Sequence, residues 1–287
     1  NGTLSTRYGF PNRSTFNASN VTYYVNPKVE PVVCFVRPGS LSSWLGNSPS
    51  MWDRSNGFFT QETDPSRYGQ NFPTTGGNGL YFDLLINGVS QPLSWSPVSL
   101  GGITVTMSNP TATSVRVTLT GPYATPSQHS SSNSGPISKP TLPQTFELVG
   151  RDTNGTPVVK YGFTLKTWFV HRGSKKDTHY NTSSWCDRIG YRMSGVRDLT
   201  NAVRTDVVVP SATPSSPGNY YMRHIGAGFV PEWGSMDHYS DIDFKNLDLV
   251  WTNDLNGSGY FVVSVRGGGV FSYSNSTITN HGLCSHP

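Results

Sequence analysis

Charge is scarce in this chain: Asp, Glu, Lys and Arg together make up 13% of its 287 residues. The 21 basic and 17 acidic side chains leave a formal net charge of +4, and the densest basic group is only Arg172, Lys175 and Lys176. Nucleic-acid binders gather positive charge on one face, because neutralising phosphates supplies most of their affinity. So thin a scatter predicts no nucleic-acid partner and a solvated linker around residues 172–176. Long apolar runs are missing too. None approaches the roughly 20 residues that cross a bilayer as a helix. The opening NGTLSTRYGF has neither Met nor the charged-then-apolar pattern of a signal peptide. The chain reads as a processed or excised piece whose membrane anchoring, if any, lies outside it. Cysteine is nearly absent. Of Cys34, Cys186 and Cys284, an odd count leaves one over. Cys34 sits in the apolar run PVVCFV, where a free thiol behaves as a small hydrophobe. Cys186 and Cys284 bracket the last third of the chain; paired, they would imply an oxidising compartment.

What is plentiful is Gly (30), Pro (21), Tyr (14), Phe (14) and Trp (7), set among Ser, Thr and Asn. Aromatic side chains bury large apolar areas, so the low charge does not mean disorder. The mixture fits many short strands joined by turns, and the length fits two domains. VTYYVNP and PVVCFVRPG read as strands, and residues 41–71 as loop with short strands and aromatic anchors. LYFDLLI runs into Asn87-Gly88, a pair suited to a tight hairpin turn. In the next two strands Ile103, Val105 and Met107 alternate with Thr104, Thr106 and Ser108, and Val115, Val117 and Leu119 with Arg116, Thr118 and Thr120. That is period-two patterning for a sheet with one wet face. Residues 123–143 read as an exposed linker, and 145–170 as a hairpin turning at 152–155. Strands at such short spacing indicate a sandwich.

Beyond Trp168 the character changes. THYNTSSWCDRIG starts a short helix. Val196, Leu199 and Val203, at i, i+3 and i+7, suggest another. LDLVWTND and GYFVVSVRGGGVFSYS read as terminal strands, the latter turning at 267–269. Helices, a long irregular middle and closing strands make this part α+β.

The last region resembles the C-terminal adhesive domains of the invasin/intimin family of outer-membrane adhesins. KTWFVHRG, SSWCDRIGYRMSGVRDLTNAV, GAGFVPEWGSMDHY, DLVWTND and GGGVFSYSNS carry the likeness. Cys186, Gly190, Tyr191, Leu199, Thr200, Asn201, Glu232, Trp233, Gly234, Trp251, Thr252, Gly268, Gly269, Val270 and Cys284 match in that order. FPTTGGNG, LSWSP, ITVTMS and YGFTLKTWF look like the immunoglobulin-like module that precedes this domain in such proteins. The resemblance covers about residues 70–287. It implies an immunoglobulin-like β-sandwich over residues 1–167, with 1–70 not assigned within it, followed by a C-type-lectin-like domain over 168–287. It also implies a Cys186–Cys284 disulfide, a bacterial cell-surface location and a host-protein partner. Ligands differ across the family: integrins for invasin, an injected receptor for intimin, immunoglobulin Fab for the invasin D type. One sandwich and a lectin-like tip resemble the last arrangement, and no integrin-contacting acidic motif matches.

Chemistry offers less. Sugar-binding C-type lectins use an Asn-Asp pair after a Trp, with a second loop of Glu-Pro-Asn or Gln-Pro-Asp, to gather oxygens around calcium. In WTND (251–254) Thr252 intervenes, and Pro231 and Glu232 stand in the wrong order. Trp251 is expected in the core and Asn253-Asp254 at a turn. Asp237, Asp241, Asp243 and Asp248 lack EF-hand spacing. HGLCSHP places His281, Cys284 and His286 together as a zinc site would, but a disulfide takes the thiolate and the tail is expected to be mobile. No GxSxG, HExxH or phosphate-cradling Gly loop is present. The reading is a non-enzymatic, monomeric adhesin tip with no cofactor and no metal. Its contact residues are expected at Tyr220, Tyr221, His224, Asp237, His238 and Tyr239, since Tyr adds area and a hydrogen bond at low rotamer cost. Trp185, Trp233 and Trp251 belong to the core. The alternatives are a carbohydrate-binding lectin and a phage or other receptor-binding protein of similar fold.

Overall fold

The computed structural model describes residues 2–5, 13–16 and 29–287. Gly2–Ser5 pairs antiparallel with Arg13–Phe16 in a hairpin belonging to a unit of its own, residues 1–30. The expected strand at residues 21–27 lies outside the described residues. Pro31–Pro287 forms the second unit.

In that unit the alternating segments build an antiparallel sheet ordered Trp52–Asp53, Gly57–Phe59, Val32–Pro38, Tyr81–Asn87, Ser114–Thr120, Ile103–Ser108, Val98–Leu100. Register places Val105 opposite Leu119 and Val117 opposite Phe82. Val115, Val117 and Leu119 are therefore fully buried, while Arg116 on the other face reaches Asp83. Cys34 lies free at a register shift between Val33 and Phe35, half-buried. A second sheet, Pro157–Leu165 with Gln144–Arg151 and Ser94–Trp95, turns its buried Phe146, Leu148 and Phe163 towards the first. Phe82 meets Phe163 edge-on at 5.9 Å. Each such buried side chain contributes about 1.5–3 kcal/mol, and the aromatic geometry adds about 1.

The turn expected at Asn87-Gly88 does not make a hairpin. Tyr81–Asn87 pairs instead with Val32–Pro38 and Ser114–Thr120, and the next strand, Ser94–Trp95, lies in the opposite sheet. Gly88 does adopt positive φ, but only to turn the chain across the sandwich. The hairpin around 152–155 is present, with Asp152 accepting from Asn154 and Thr156.

A third, mixed sheet runs Val270–Tyr273, Gly259–Ser264, Leu249–Asn256, Asn280–His286, Thr167–Asp177, Thr75–Gly77, with Arg192–Met193 paired to Asn280–His286. The last of the six strands, Thr75–Gly77, comes from between two sandwich strands and pairs parallel with Thr167–Asp177. Helix His179–Arg188 starts at Thr178, whose hydroxyl accepts from Asn181 N. It buries Thr182, Trp185 and Cys186 on one face. Cys186 and Cys284 form a disulfide closing a 98-residue separation. A chain-entropy model gives such a loop about 4–5 kcal/mol.

Four expectations here are corrected. Residues 172–176 are no linker: Arg172 is buried in strand Thr167–Asp177, paired with Asp177 at 3.1 Å and lying over Trp185. The second helix stops at Leu199 rather than reaching Val203, because the Thr200 hydroxyl donates to Gly268 O and Val203 N to Gly218 O. The HGLCSHP tail is strand Asn280–His286, flanked on both sides. The segment 123–143 is not a free linker but a strap. Its short helix Pro126–Ser130 carries a capping box. Gln128 O accepts from Trp185 Nε1, Ser138 O from Tyr191 OH, and Ile189 O from Ile137 N.

The expected division at residues 167 and 168 falls at the start of strand Thr167–Asp177, and the core is continuous across it. Trp233 touches Phe72 at 4.9 Å and Phe82 at 6.2 Å, and a Cβ at Gly76 or Gly121 would strike Trp168.

Candidate interaction surface

The irregular stretch 217–239 is organised by two buried charges. Arg223 is fully buried and spends its guanidinium on carbonyls: Nη1 donates to Glu232 O at 2.7 Å, Nε to Ser42 O at 2.9 Å, and Nη2 to Ser40 O. It also stacks over Trp52 at 4.3 Å. Burial lowers its pKa, though not by removing its partners. The Glu232 carboxylate, also fully buried, accepts from the N–H and hydroxyl of Thr74, the N–H and hydroxyl of Thr75, and Gly226 N. Burial pushes its pKa up while these donors pull it down. Neither charge pairs with the other. Arg223 holds segment 40–42, and Glu232 holds 74–75.

Around the segment held by Arg223 five of the six expected contact residues gather, in two roles. Ser40 Oγ lies 3.3 Å from His238 Nδ1, and Ser42 Oγ lies 2.8 Å from the Tyr221 hydroxyl. Two residues further on, Trp44 stacks on Tyr220 with centroids 5.0 Å apart and planes 16° from parallel. Tyr220, Asp237 and His238 are exposed. Tyr221 and Tyr239 are not: both are buried, their hydroxyls donating to Ser42 O and Trp233 O. A tyrosine whose polar tip finds a carbonyl inside is as easily core as interface, so these two shape the surface from beneath. Half-buried His224, the sixth, accompanies Ile225 O at 2.7 Å. From Ser40, which His238 touches, to Trp44 is at most roughly 14 Å of extended chain.

Trp44 was not singled out from sequence as a contact. It is 56% exposed and Tyr220 47%. The signal available was a Trp in a Gly/Ser/Pro-rich loop, LSSWLGNSP, where no strand or helix pattern would bury it. Phe271, also exposed, follows Val270, whose N–H and carbonyl are both held by Asn219 beside Tyr220.

The WTND segment has a structural task. Trp251 is buried with Nε1 on Asp177 O, and Asp254 accepts from Val196 N at 2.6 Å, capping the short helix. Asn253-Asp254 continue strand Leu249–Asn256 rather than beginning a turn. Trp185 and Trp233 are fully buried, as expected. His281 is buried in the final strand and Cys284 is spent in the disulfide. Among the described residues no three His, Cys, Asp or Glu side chains gather as metal ligands, and no helix is long and apolar enough to cross a membrane.

No protein-family model and no curated protein sequence matches the chain. Solved structures do. One is described as invasin, a bacterial integrin-binding protein: TM-score 0.52 at 15% identity, over 89% of this chain and 39% of that one. Another is a C-terminal 282-residue fragment of intimin in complex with the intimin-binding domain of the translocated intimin receptor: TM-score 0.50 at 11% identity, over 90% of this chain and 66% of that one. The chain thus spans well under half of the invasin structure and about two thirds of the intimin fragment. Its fold is theirs: an immunoglobulin-like sandwich followed by a C-type-lectin-like part.

Proposed function

We propose that this chain is the C-terminal, ligand-presenting region of an invasin/intimin-family surface adhesin, and that it binds a host protein without catalysis through the face centred on Trp44 and Tyr220. In this reading the sandwich serves as a stiff spacer, and its segment 40–44 joins residues 168–287 in the adhesive part, on a bacterial surface and anchored from outside this chain. The observation that carries the proposal is the exposed Trp44–Tyr220 stack. Trp and Tyr dominate binding hot spots because they bring large, rigid area at low entropic cost. Here the pair sits on a loop fixed from beneath by Arg223, Tyr221 and the Ser40–Ser42 hydroxyls, so little ordering remains to be lost on binding. Asp237 and His238 supply a polar rim.

The test is binding of the purified chain to integrin ectodomains, immunoglobulin Fab and deglycosylated epithelial surface proteins, with and without EDTA. The expected outcome is saturable, chelator-insensitive binding to one of these proteins. Trp44→Ala should weaken it at least about 30-fold, as a hot spot of ~2 kcal/mol requires, without lowering the melting temperature. Full affinity in Trp44→Ala would remove this face from the account.

A further inference from the structure

We propose that the groove between helix His179–Arg188 and the Gly259–Ser264 hairpin is a metal-independent subsite for a neutral saccharide. This goes beyond the protein-binding face and shares no residue with it. The groove encloses about 390 Å³, at the lower end of small-molecule sites, which gives room for a mono- or disaccharide.

Its wall is aromatic and rigid. The His179 ring lies flat on Tyr260, centroids 3.4 Å apart and planes 10° from parallel. Its Nε2 is held 3.0 Å from Thr252 O, and Trp251 meets its edge at 5.6 Å. With Nε2–H donating to that carbonyl, Nδ1 is the acceptor, and burial keeps the ring neutral by lowering its pKa. Tyr180, 78% exposed, stands beside this wall, and Tyr273 lines the groove, packed edge-on against Trp251.

Most of the rest of the lining is hydroxyl, with Asp187 and Asn275 beside it. Ser183 and Ser184 come from the helix, Ser258, Ser274 and Ser276 from the facing turns. Among the described residues, none of these five hydroxyls is engaged by another protein group, though short Ser, Thr and Asn side chains elsewhere on the surface commonly bond to one another. A pyranose presents the complement: an apolar face of C–H groups to lie on a ring, and a rim of hydroxyls that donate and accept. Charge sorts the remaining ligand classes. No Arg or Lys lines the groove, so a phosphate or acidic sugar has no counter-ion. Asp187 is the only carboxylate in the lining, too few hard oxygens for calcium.

The experiment is saturation-transfer NMR and calorimetry on the whole chain with D-galactose, N-acetyl-D-glucosamine, D-mannose and lactose in EDTA. The expected result is binding of at least one of them in the millimolar range, unchanged by calcium. Tyr180→Ala, at a side chain too exposed to matter for folding, should weaken it about five-fold, the scale of one aromatic contact. Ser184→Trp should fill the groove and abolish it, and Trp44→Ala should leave it unaltered, so that failure of the protein-binding face is read separately. No binding of any probe overturns the subsite; so does binding that needs calcium, or binding that survives both groove variants.

Discussion

Replacing Glu232 by Gln keeps the shape of a fully buried side chain and removes one charge and one acceptor. The consequence follows from which donors each oxygen serves. Oε1 takes Thr74 N (3.0 Å), the Thr74 hydroxyl (2.7 Å) and Gly226 N (2.9 Å); Oε2 takes Thr75 N (3.0 Å), the Thr75 hydroxyl (2.5 Å) and a longer share of Thr74 N (3.2 Å). A hydroxyl can rotate and accept from an amide, but a backbone N–H cannot. An NH2 in the Oε1 position would strand Gly226 N–H and leave Thr74 N–H only its longer bond, while in the Oε2 position it would strand Thr75 N–H alone. The side chain will therefore choose the second, orphaning Thr75 N–H in a buried site. One buried unsatisfied donor costs about 1–3 kcal/mol, so Glu232→Gln should cost about 2 kcal/mol and lower the melting temperature by about 4–8 °C. Glu232→Ala orphans all three N–H groups. Relief from burying a charge offsets part of that, and roughly 3–5 kcal/mol should be lost. The assay is urea denaturation and thermal melting followed by near-UV circular dichroism. An unchanged melting temperature in Glu232→Gln would refute the reasoning, and so would a Gln variant less stable than the Ala one.

His171 is buried in the strand core with its pKa depressed to about 4, chiefly by burial, and its Nδ1 accepts from Gly173 N at 3.0 Å. The unfolded chain binds this proton near pH 6.5 and the folded one only near 4, so stability is full above 6.5. It should fall by about 1.4 kcal/mol per pH unit between them, to a total of about 3 kcal/mol. Urea midpoints from pH 7 to 4.5 should slope less in His171→Gln than in the parent, and equal slopes would contradict the assignment. Joint replacement of Cys186 and Cys284 by Ser should cost about 4–5 kcal/mol, read as a lowered melting temperature that reductant reproduces in the parent. Arg223→Met should weaken binding at the Trp44 face as well as lowering stability, because the contacts to the carbonyls of Ser40 and Ser42, and the one to Glu232, vanish together; binding that survives intact at a temperature where the variant is folded would show the loop is not held from beneath.

The sandwich strands could be read from sequence because alternation is local. Val115, Val117 and Leu119 announce a buried face whatever lies opposite. The tryptophans 185, 233 and 251 could be placed in the core because the cost of exposing so much apolar area dominates other terms. What escaped depends on partners far along the chain. The turn at Asn87-Gly88 has the chemistry of a hairpin, yet strand Val32–Pro38, some fifty residues earlier, takes the pairing. Composition made 123–143 a linker; its anchors are backbone carbonyls of Gln128 and Ser138, which every residue possesses and no sequence advertises. Tyr221 and Tyr239 are indistinguishable from Tyr220 by type. Only the carbonyls waiting for their hydroxyls decide that two are inside and one outside.

Strand Asn280–His286 lies between Thr167–Asp177 and Leu249–Asn256, and it carries Cys284. A chain delivered from its N-terminal side therefore presents Thr167–Asp177 with a vacant edge until residues more than a hundred positions later arrive. Loop closure over that span is slow, and an unpaired edge invites foreign strands. Until then Thr75–Gly77 can cover one side of the waiting strand and the 126–130 strap can pack against it. The order in which this polypeptide emerges is thus matched by an order of protection, with the central strand and its crosslink closing the sheet last.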